Sequence, residues 1–440
     1  MTGRLRRDLG FLPLVAVLFF NVSGGPYGIE DSVSILGPGL ALFLLVLTPC
    51  VWSLPVSLAM AELGSAIPEE GGYIAWVRRA FGAFWGFQVG WWSWLNSFVD
   101  VAVYPALFTD YLKFWWPVMT AHERWALVLI FIWVLTGLNL LGVRVVGASA
   151  IALGVCALLP VAIFTVVAVS RARHLPWLPF AAPSLMEAQG LVPGLGLGLA
   201  VMMWNYSGWD NPSTCLGETR APRTSYRRAL LVALPLITLT YLLPVGAGLA
   251  ATTDWPQWES GYLPALAASV AGPGLAALMT LGALLATGGL FLGTLLTNSR
   301  LPFALARGGQ MPAALAAVDP RTGSPRVAVL ISSVAYSVCA FWSFKELIVL
   351  NIWLYSLALL VELAAFVALR LREPDLPRPW RVGGGTVGMW ATAVLPAGCC
   401  LLAMATAGWM NTVVGVLAAL TGPLVYAAWA RPGRARASAG

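Results

Sequence analysis

Carboxylates stand where the surrounding sequence is apolar: Glu30, Asp31, Asp100, Asp210 and Glu362, with Glu62 at the end of another apolar run. An ionised side chain facing lipid costs roughly 2.5–3.5 kcal/mol even on the gentler scales, so such groups face an interior and commonly bind ions, protons or cargo. The chemistry these acids offer is reversible binding of an ammonium group or a proton. Glu30 and Asp31 follow Ser23-Gly24-Gly25-Pro26-Tyr27-Gly28, and Asp210 follows Asn205-Tyr206-Ser207-Gly208-Trp209. Each glycine-rich phrase interrupts a hydrophobic segment. Glycine permits backbone angles that side chains forbid, and Pro26 lacks an N–H. The carbonyls of about Phe19 to Val22 are then expected to lose helical partners and point at a cavity. A half-helix N-terminus ordinarily attracts an anion. Here carboxylates already fill those ends, so the remaining potential favours cations. The plainer alternative is that Asp31 and Asp210 only cap helices, with Asn211 or Asp210 before Pro212.

A third polar line supports the first reading. Gln88, Trp92, Asn96, Asp100 and Tyr104 recur every four residues, which places them on one helical face. Asp100 falls near the middle of that segment. Tyr355 lies about 13 Å from the outer start of its own segment and reaches the same level. Glu362 lies deeper, where an inner gate or a proton path would run. Glu62 reads as structural. Trp204, just before the second break, reads equally as an aromatic lid and as packing.

The elements that position these residues are membrane spans. The chain has 440 residues, of which 59% are hydrophobic and 10% charged. Soluble domains carry about 25% charge. Runs of about 20 apolar residues cross a bilayer. The sequence predicts them at 10–36, 40–64, 84–113, 124–141, 145–170, 191–217, 228–251, 273–299, 326–344, 346–370, 386–409 and 411–430. Segment 9–22 behind Arg4-Leu5-Arg6-Arg7 is read as an uncleaved first span, because no small-x-small cleavage site follows it. Segment 65–82 is read as an interfacial helix, and 252–272 as carrying a short external helix.

The net charge of +7 is a topology signal. Lys113, Arg124, Arg171, Arg173 and Lys345 fall in external segments, and the other 21 of the 26 basic residues in internal ones. The positive-inside rule then puts both termini in the cytoplasm, and no nucleic-acid role is needed. The second break lies 184 positions after the first and five spans later. An odd number of spans gives the two repeats opposite topology. The expected fold is an all-α membrane protein of twelve transmembrane helices in one domain, 1–440. It comprises inverted five-plus-five repeats at 10–170 and 191–370, discontinuous helices one and six, and appended helices at 386–430. Broken spans in corresponding positions of two halves are a pointer to a carrier's substrate site.

Several functions are disfavoured. No nucleophile–base pair or phosphate loop points to an enzyme, and no large soluble domain points to a receptor. Cys50, Cys156, Cys215, Cys339, Cys399 and Cys400 lie within or beside spans, so no disulfide framework is implied. His122 and His174 sit in external loops, and neither a metal nor a cofactor is expected.

The motifs Ser23-Gly-Gly-Pro-Tyr-Gly-Ile-Glu-Asp-Ser-Val33, Ala61-Glu-Leu-Gly-Ser-Ala-Ile-Pro68, Glu70-Gly-Gly-Tyr73, Phe84-Trp-Gly-Phe-Gln88, Trp204-Asn-Tyr-Ser-Gly-Trp-Asp-Asn211 and Glu362-Leu-Ala-Ala-Phe-Val-Ala-Leu-Arg370 resemble the amino acid–polyamine–organocation (APC) superfamily. The similarity spans about residues 10 to 430 and is greatest to the polyamine-uptake branch, related to the L-type amino acid carriers. The resemblance implies a leucine-transporter-like fold and a proton-coupled permease of the cell membrane. In that scheme spans one, two, six and seven rock against spans three, four, five, eight, nine and ten. Trp204 resembles the aromatic gate of L-type relatives. Asn205, Tyr104 and Tyr355 resemble substrate contacts, and Asp100 and Glu362 the branch's membrane carboxylates. Two departures stand out. Residues 145–170 hold no lysine of the kind some proton-coupled relatives use, and 114–123 hold no cysteine for a disulfide-linked glycoprotein partner.

The expected substrate-binding set is therefore Ser23, Gly24, Gly25, Glu30, Asp31, Asp100, Tyr104, Trp204, Asn205, Ser207, Asp210 and Tyr355. Glu30, Asp100 and Glu362 are the candidates for proton coupling. The expected cargo is a polyamine or cationic amino acid, moved with protons through the lipid bilayer. A neutral or broad amino-acid permease or exchanger is the alternative.

Overall fold

A computed structural model describes residues 5–185, 191–341 and 344–429. Arg4, Arg431, Arg434 and Arg436, counted above as internal charges, lie outside the described residues. Helices dominate: α1 (Phe11–Val22), α2 (Glu30–Leu36), α3 (Pro38–Thr48), α4 (Leu54–Ala66), α5 (Tyr73–Phe81), α6 (Ala83–Leu112), α7 (Ala121–Leu140), α8 (Val143–Ser170) and α9 (Leu191–Asn205). They continue as α10 (Pro222–Ala251), α11 (Leu263–Ala271), α12 (Pro273–Asn298), α13 (Arg300–Arg307), α14 (Arg326–Cys339), α15 (Phe344–Arg372), α16 (Gly385–Thr406) and α17 (Trp409–Trp429). A single parallel bridge, Leu9 to Thr219, is the only β-pairing among the described residues.

Eight helical stretches among the described residues are long and apolar enough to cross a membrane: Pro38–Ala66, Ala121–Leu140, Val143–Ser170, Pro222–Ala251, Pro273–Arg307, Asn351–Arg372, Gly385–Thr406 and Trp409–Trp429. The other four predicted segments depart from a plain apolar rod for identifiable reasons. Those at 10–36 and 191–217 are broken, 326–344 holds a helix of only 14 residues, and α6 dilutes its hydropathy with a polar face.

Burial separates centre from rim. The span of α12 is 72% buried, whereas that of α17 is 11% buried and faces outward. Helix α12 packs on α8, α6 and α1, and α6 packs also on α15. The broken elements thus sit inside a jacket of continuous helices. Helix α5 buries Tyr73 to Val77 against α6 and α15 and leaves Arg78 and Arg79 exposed.

The first break follows from its sequence. The Ser23 N–H closes the last turn of α1 on the Phe19 carbonyl at 2.6 Å, so Phe19 keeps a partner that the sequence reading had taken away. Ser23 Oγ then accepts from Gly25 N–H at 3.0 Å. Gly28 has φ of 89°, a left-handed conformation, and a Cβ there would stand 3.2 Å from the Trp204 ring. The second break is a mirror of this need. Gly208 has φ of 94°, and a Cβ there would stand 2.1 Å from the Asn21 carbonyl oxygen. The two glycine phrases therefore touch, and only glycine permits that approach. Beyond the second break the chain forms a 3₁₀ turn, Asn211–Glu218, rather than a full α-helix.

Candidate functional site

Where the two breaks meet lies a nearly closed cavity of about 20 Å³, room for a water-sized group. Asn21, Val22, Gly24 and Tyr27 line it from the first break. Trp204, Asn205, Ser207, Gly208 and Asn211 line it from the second. Asn96, Asp100 and Tyr104 enter from α6, Tyr241 from α10, Leu290 from α12, and Asn351 and Tyr355 from α15. Asp100 is the only charged residue among the described residues of this wall.

Asp100 is held by neutral donors. Trp204 Nε1 donates to Oδ1 at 3.2 Å, and Tyr104 OH donates to Oδ2 at 3.4 Å. The Trp204 and Tyr104 rings lie 6.2 Å apart. Trp204 thus covers the Gly28 turn and touches the acid, so it both packs and borders the cavity. Asn351 Nδ2 donates to Asn96 Oδ1 at 3.2 Å, closing the same wall between α15 and α6.

The break backbones are tied off by side chains. Tyr241 OH donates to the Asn205 carbonyl at 2.7 Å and more weakly to Val22 at 3.5 Å. Asn205 Nδ2 reaches the Val201 carbonyl at 2.9 Å and the Gly28 carbonyl at 3.4 Å. Ser207 Oγ donates to the Met203 carbonyl. Gly28 N–H donates to Glu30 Oε2 at 2.7 Å and to Tyr111 OH at 3.1 Å. Gly208 N–H donates to Tyr355 OH at 3.1 Å.

The predicted residues divide. Gly24, Asp100, Tyr104, Trp204, Asn205, Ser207 and Tyr355 line the cavity, while Ser23, Gly25, Glu30, Asp31, Asp210 and Glu362 lie outside its lining. Glu30 is fully buried and accepts from Tyr111 OH as well as Gly28. Asp31 accepts from Ser260 Oγ at 2.6 Å, beside α11. Asp210 occupies the cap position of the 3₁₀ turn, yet its side chain makes no capping bond. It accepts instead from Tyr355 OH. Glu362 is buried two turns along α15 from Tyr355. The inner half of the α6 polar line serves packing: Trp92 Nε1 bonds the Ala419 carbonyl at 3.0 Å, and Gln88 lies against Gly422 of α17.

Tyr27, Tyr111, Tyr241 and Asn351 were missed by sequence reasoning. Asn351 precedes Tyr355 by one helical turn, and the spacing that revealed the α6 face would have found it. A single tyrosine in an apolar span carries no comparable periodic signal.

Twin broken helices meeting at a buried polar cavity within an all-helical membrane protein define a transporter of the broken-helix class. The chain belongs to the amino acid permease family, whose model matches residues 10–430. It is similar to Polyamine transporter PUT1 of Oryza sativa subsp. japonica, with 37% identity over 392 residues, covering 89% of this chain and 72% of the relative. Similarity to Polyamine transporter RMV1 of Arabidopsis thaliana is 34%, covering 89% and 79%. Asc-type amino acid transporter 1 of Mus musculus is more distant, at 28% identity, covering 86% and 73%.

Proposed function

We propose that this permease takes up polyamines or cationic amino acids by proton-coupled alternating access across the cell membrane. It does so as twelve spans in an inverted five-plus-five arrangement, with both termini cytoplasmic. The observation that carries the reading is Asp100: a carboxylate on a cavity wall that holds no basic side chain among its described residues. Its neutral donors leave the charge uncompensated, and an ammonium group would balance it. The backbone supports the same direction. A carboxylate cargo would seek free N–H groups at the breaks. Those of Gly25, Gly28 and Gly208 are already engaged by Ser23, Glu30 and Tyr355 oxygens. The polyamine transporters among its relatives agree with an amine cargo.

The test is uptake by proteoliposomes with an imposed acid-outside gradient. Putrescine or spermidine should accumulate, and excess arginine should compete measurably. Absence of gradient-dependent diamine uptake refutes the polyamine reading. A second reading, a neutral amino-acid permease or exchanger, draws on the more distant relatives. Leucine or alanine competing better than putrescine would favour it.

A further inference from the structure

Below the cavity lies a buried acid that no cation among the described residues pairs with. Glu362 is 1% exposed, and among the described residues neither carboxylate oxygen has a hydrogen-bond partner. Five other acids in or beside the spans each have a donor: Trp204 for Asp100, Tyr111 for Glu30, Ser260 for Asp31, Tyr355 for Asp210 and Arg370 for Glu62. The titratable groups close enough to Glu362 for their charges to act on it are Asp210 at the second break, Tyr73 of α5, Tyr226 of α10, Cys400 of α16 and Tyr355 on its own helix. None is a cation. Arg370, two turns further along α15, is committed to Glu62.

A carboxylate in this position has two physical ways to exist in low dielectric: take a proton, or gain a cation. Asp210 adds like-charge repulsion. Asp210 is also linked to the cavity, because Tyr355 OH bonds both its carboxylate and the Gly208 N–H of the break. A change of charge at Glu362 therefore bears directly on the hinge of the second broken helix.

We infer that Glu362, buried without a hydrogen-bond partner among the described residues, is the group that carries the transported proton, while Asp100 serves the cargo. The inference rests on the proton-coupled reading given above. Glu362 binds one proton as its carboxylic acid on the outward-facing side of the cycle. It releases that proton to the cytoplasm as the carboxylate re-forms, and no other bond changes. The Tyr355–Gly208 link passes the change to the break. Glu30, the other coupling candidate beside Asp100, is closed off by Tyr111 and Gly28.

The experiment uses the full chain in proteoliposomes with radiolabelled putrescine, comparing Glu362→Gln and Glu362→Asp with the unaltered protein. Two readouts are needed: accumulation driven by a pH gradient, and counterflow with equal pH on both sides. Glu362→Gln should keep counterflow within about threefold, less than 1 kcal/mol of effect, but lose accumulation and its pH dependence. Glu362→Asp should retain both. Gradient-driven accumulation by Glu362→Gln at the unaltered level overturns the inference, as does loss of counterflow in a variant that remains monodisperse. Counterflow without any gradient effect in the unaltered protein rejects coupling itself, and the inference with it. Absence of both, for every amine, instead rejects the cargo reading. Infrared difference spectra across a pH step then still decide the inference: a carboxylic-acid band present in the unaltered protein and absent in Glu362→Gln supports it, and identical spectra overturn it.

Discussion

Two buried acids at the ends of spans, Glu62 and Glu218, have arginine partners, and Asp100 and Asp210 at the centre have none among the described residues. Glu218 and Arg300 form a fully buried pair, with Arg300 Nε and Nη2 donating at 2.8 and 3.0 Å. Arg300 Nη1 donates to the Leu296 carbonyl and to Ser299 Oγ. Glu62 is equally buried and accepts from Arg370 Nε at 2.8 Å, Arg370 Nη2 at 2.5 Å and the Val382 N–H at 2.7 Å, with Arg378 at 3.2 Å. At the centre, Asp100 accepts from Trp204 and Tyr104, and Asp210 from Tyr355, all of them neutral donors. The same side-chain chemistry thus serves two ends. A carboxylate locked by a bidentate guanidinium is committed to structure, because charge and geometry are both satisfied. A carboxylate held by neutral donors keeps its charge available for something that comes and goes.

The largest expected effect breaks a committed pair. Arg370→Met strands Glu62 without its main partner, and removing one member of a buried pair costs about 3–5 kcal/mol. The purified variant should melt far below the unaltered protein or fail to reach the membrane. A melting temperature unchanged within about 2 °C would place Glu62 in the same class as Asp100 and erase the distinction. Arg300→Met should behave alike through Glu218.

The next test comes from the other side of the comparison. Asp100→Asn keeps the Trp204 and Tyr104 neighbours but removes the charge that faces the cavity. Amine uptake should fall on the order of 100-fold, about 2.7 kcal/mol, with thermal stability nearly unaltered. Normal diamine uptake by this variant would remove Asp100 from the cargo site. Tyr355→Phe deletes both the donor to Asp210 and the acceptor for Gly208 N–H, but leaves the ring in place. One buried group left unpaired costs about 1–3 kcal/mol. Uptake should drop roughly tenfold, and a change confined to expression level would mean that the link is only structural.

How far the sequence revealed this contrast depended on distance along the chain. The two breaks were legible because glycine clusters and Pro26 interrupt apolar runs locally. The α6 face was legible because one helix carries its own period. That period did not reveal which neighbour each residue meets, so Gln88 and Trp92 looked equivalent to Asp100 although they pack on α17. The Glu62–Arg370 pair joins residues 308 positions apart, and Glu218–Arg300 joins residues 82 apart. Arginine near the ends of spans reads as topology charge. Nothing in its spacing says that it has been drawn inward to an acid. Ser260 was invisible for the same reason: only the fold brings it to Asp31.

The smallest effect uses a pair that has arginine geometry but lacks burial. Arg79 Nε and Nη2 reach Glu373 at 3.0 and 2.7 Å, with the two side chains 43% and 33% exposed. These hydrogen bonds hold the Glu373 carboxyl below the usual carboxylate range. A carboxyl depressed by folding adds stability above its unfolded value, about pH 4.3, and loses it as pH falls through the lower folded value. Solvent screens this pair, so Glu373→Gln should cost about 0–1 kcal/mol, visible near neutral pH and vanishing in acid. Melting curves at pH 7 and at low pH measure the difference. A loss as large as that of Arg370→Met would mean that the guanidinium alone, and not its removal from water, separates the arginine-paired acids from the central ones.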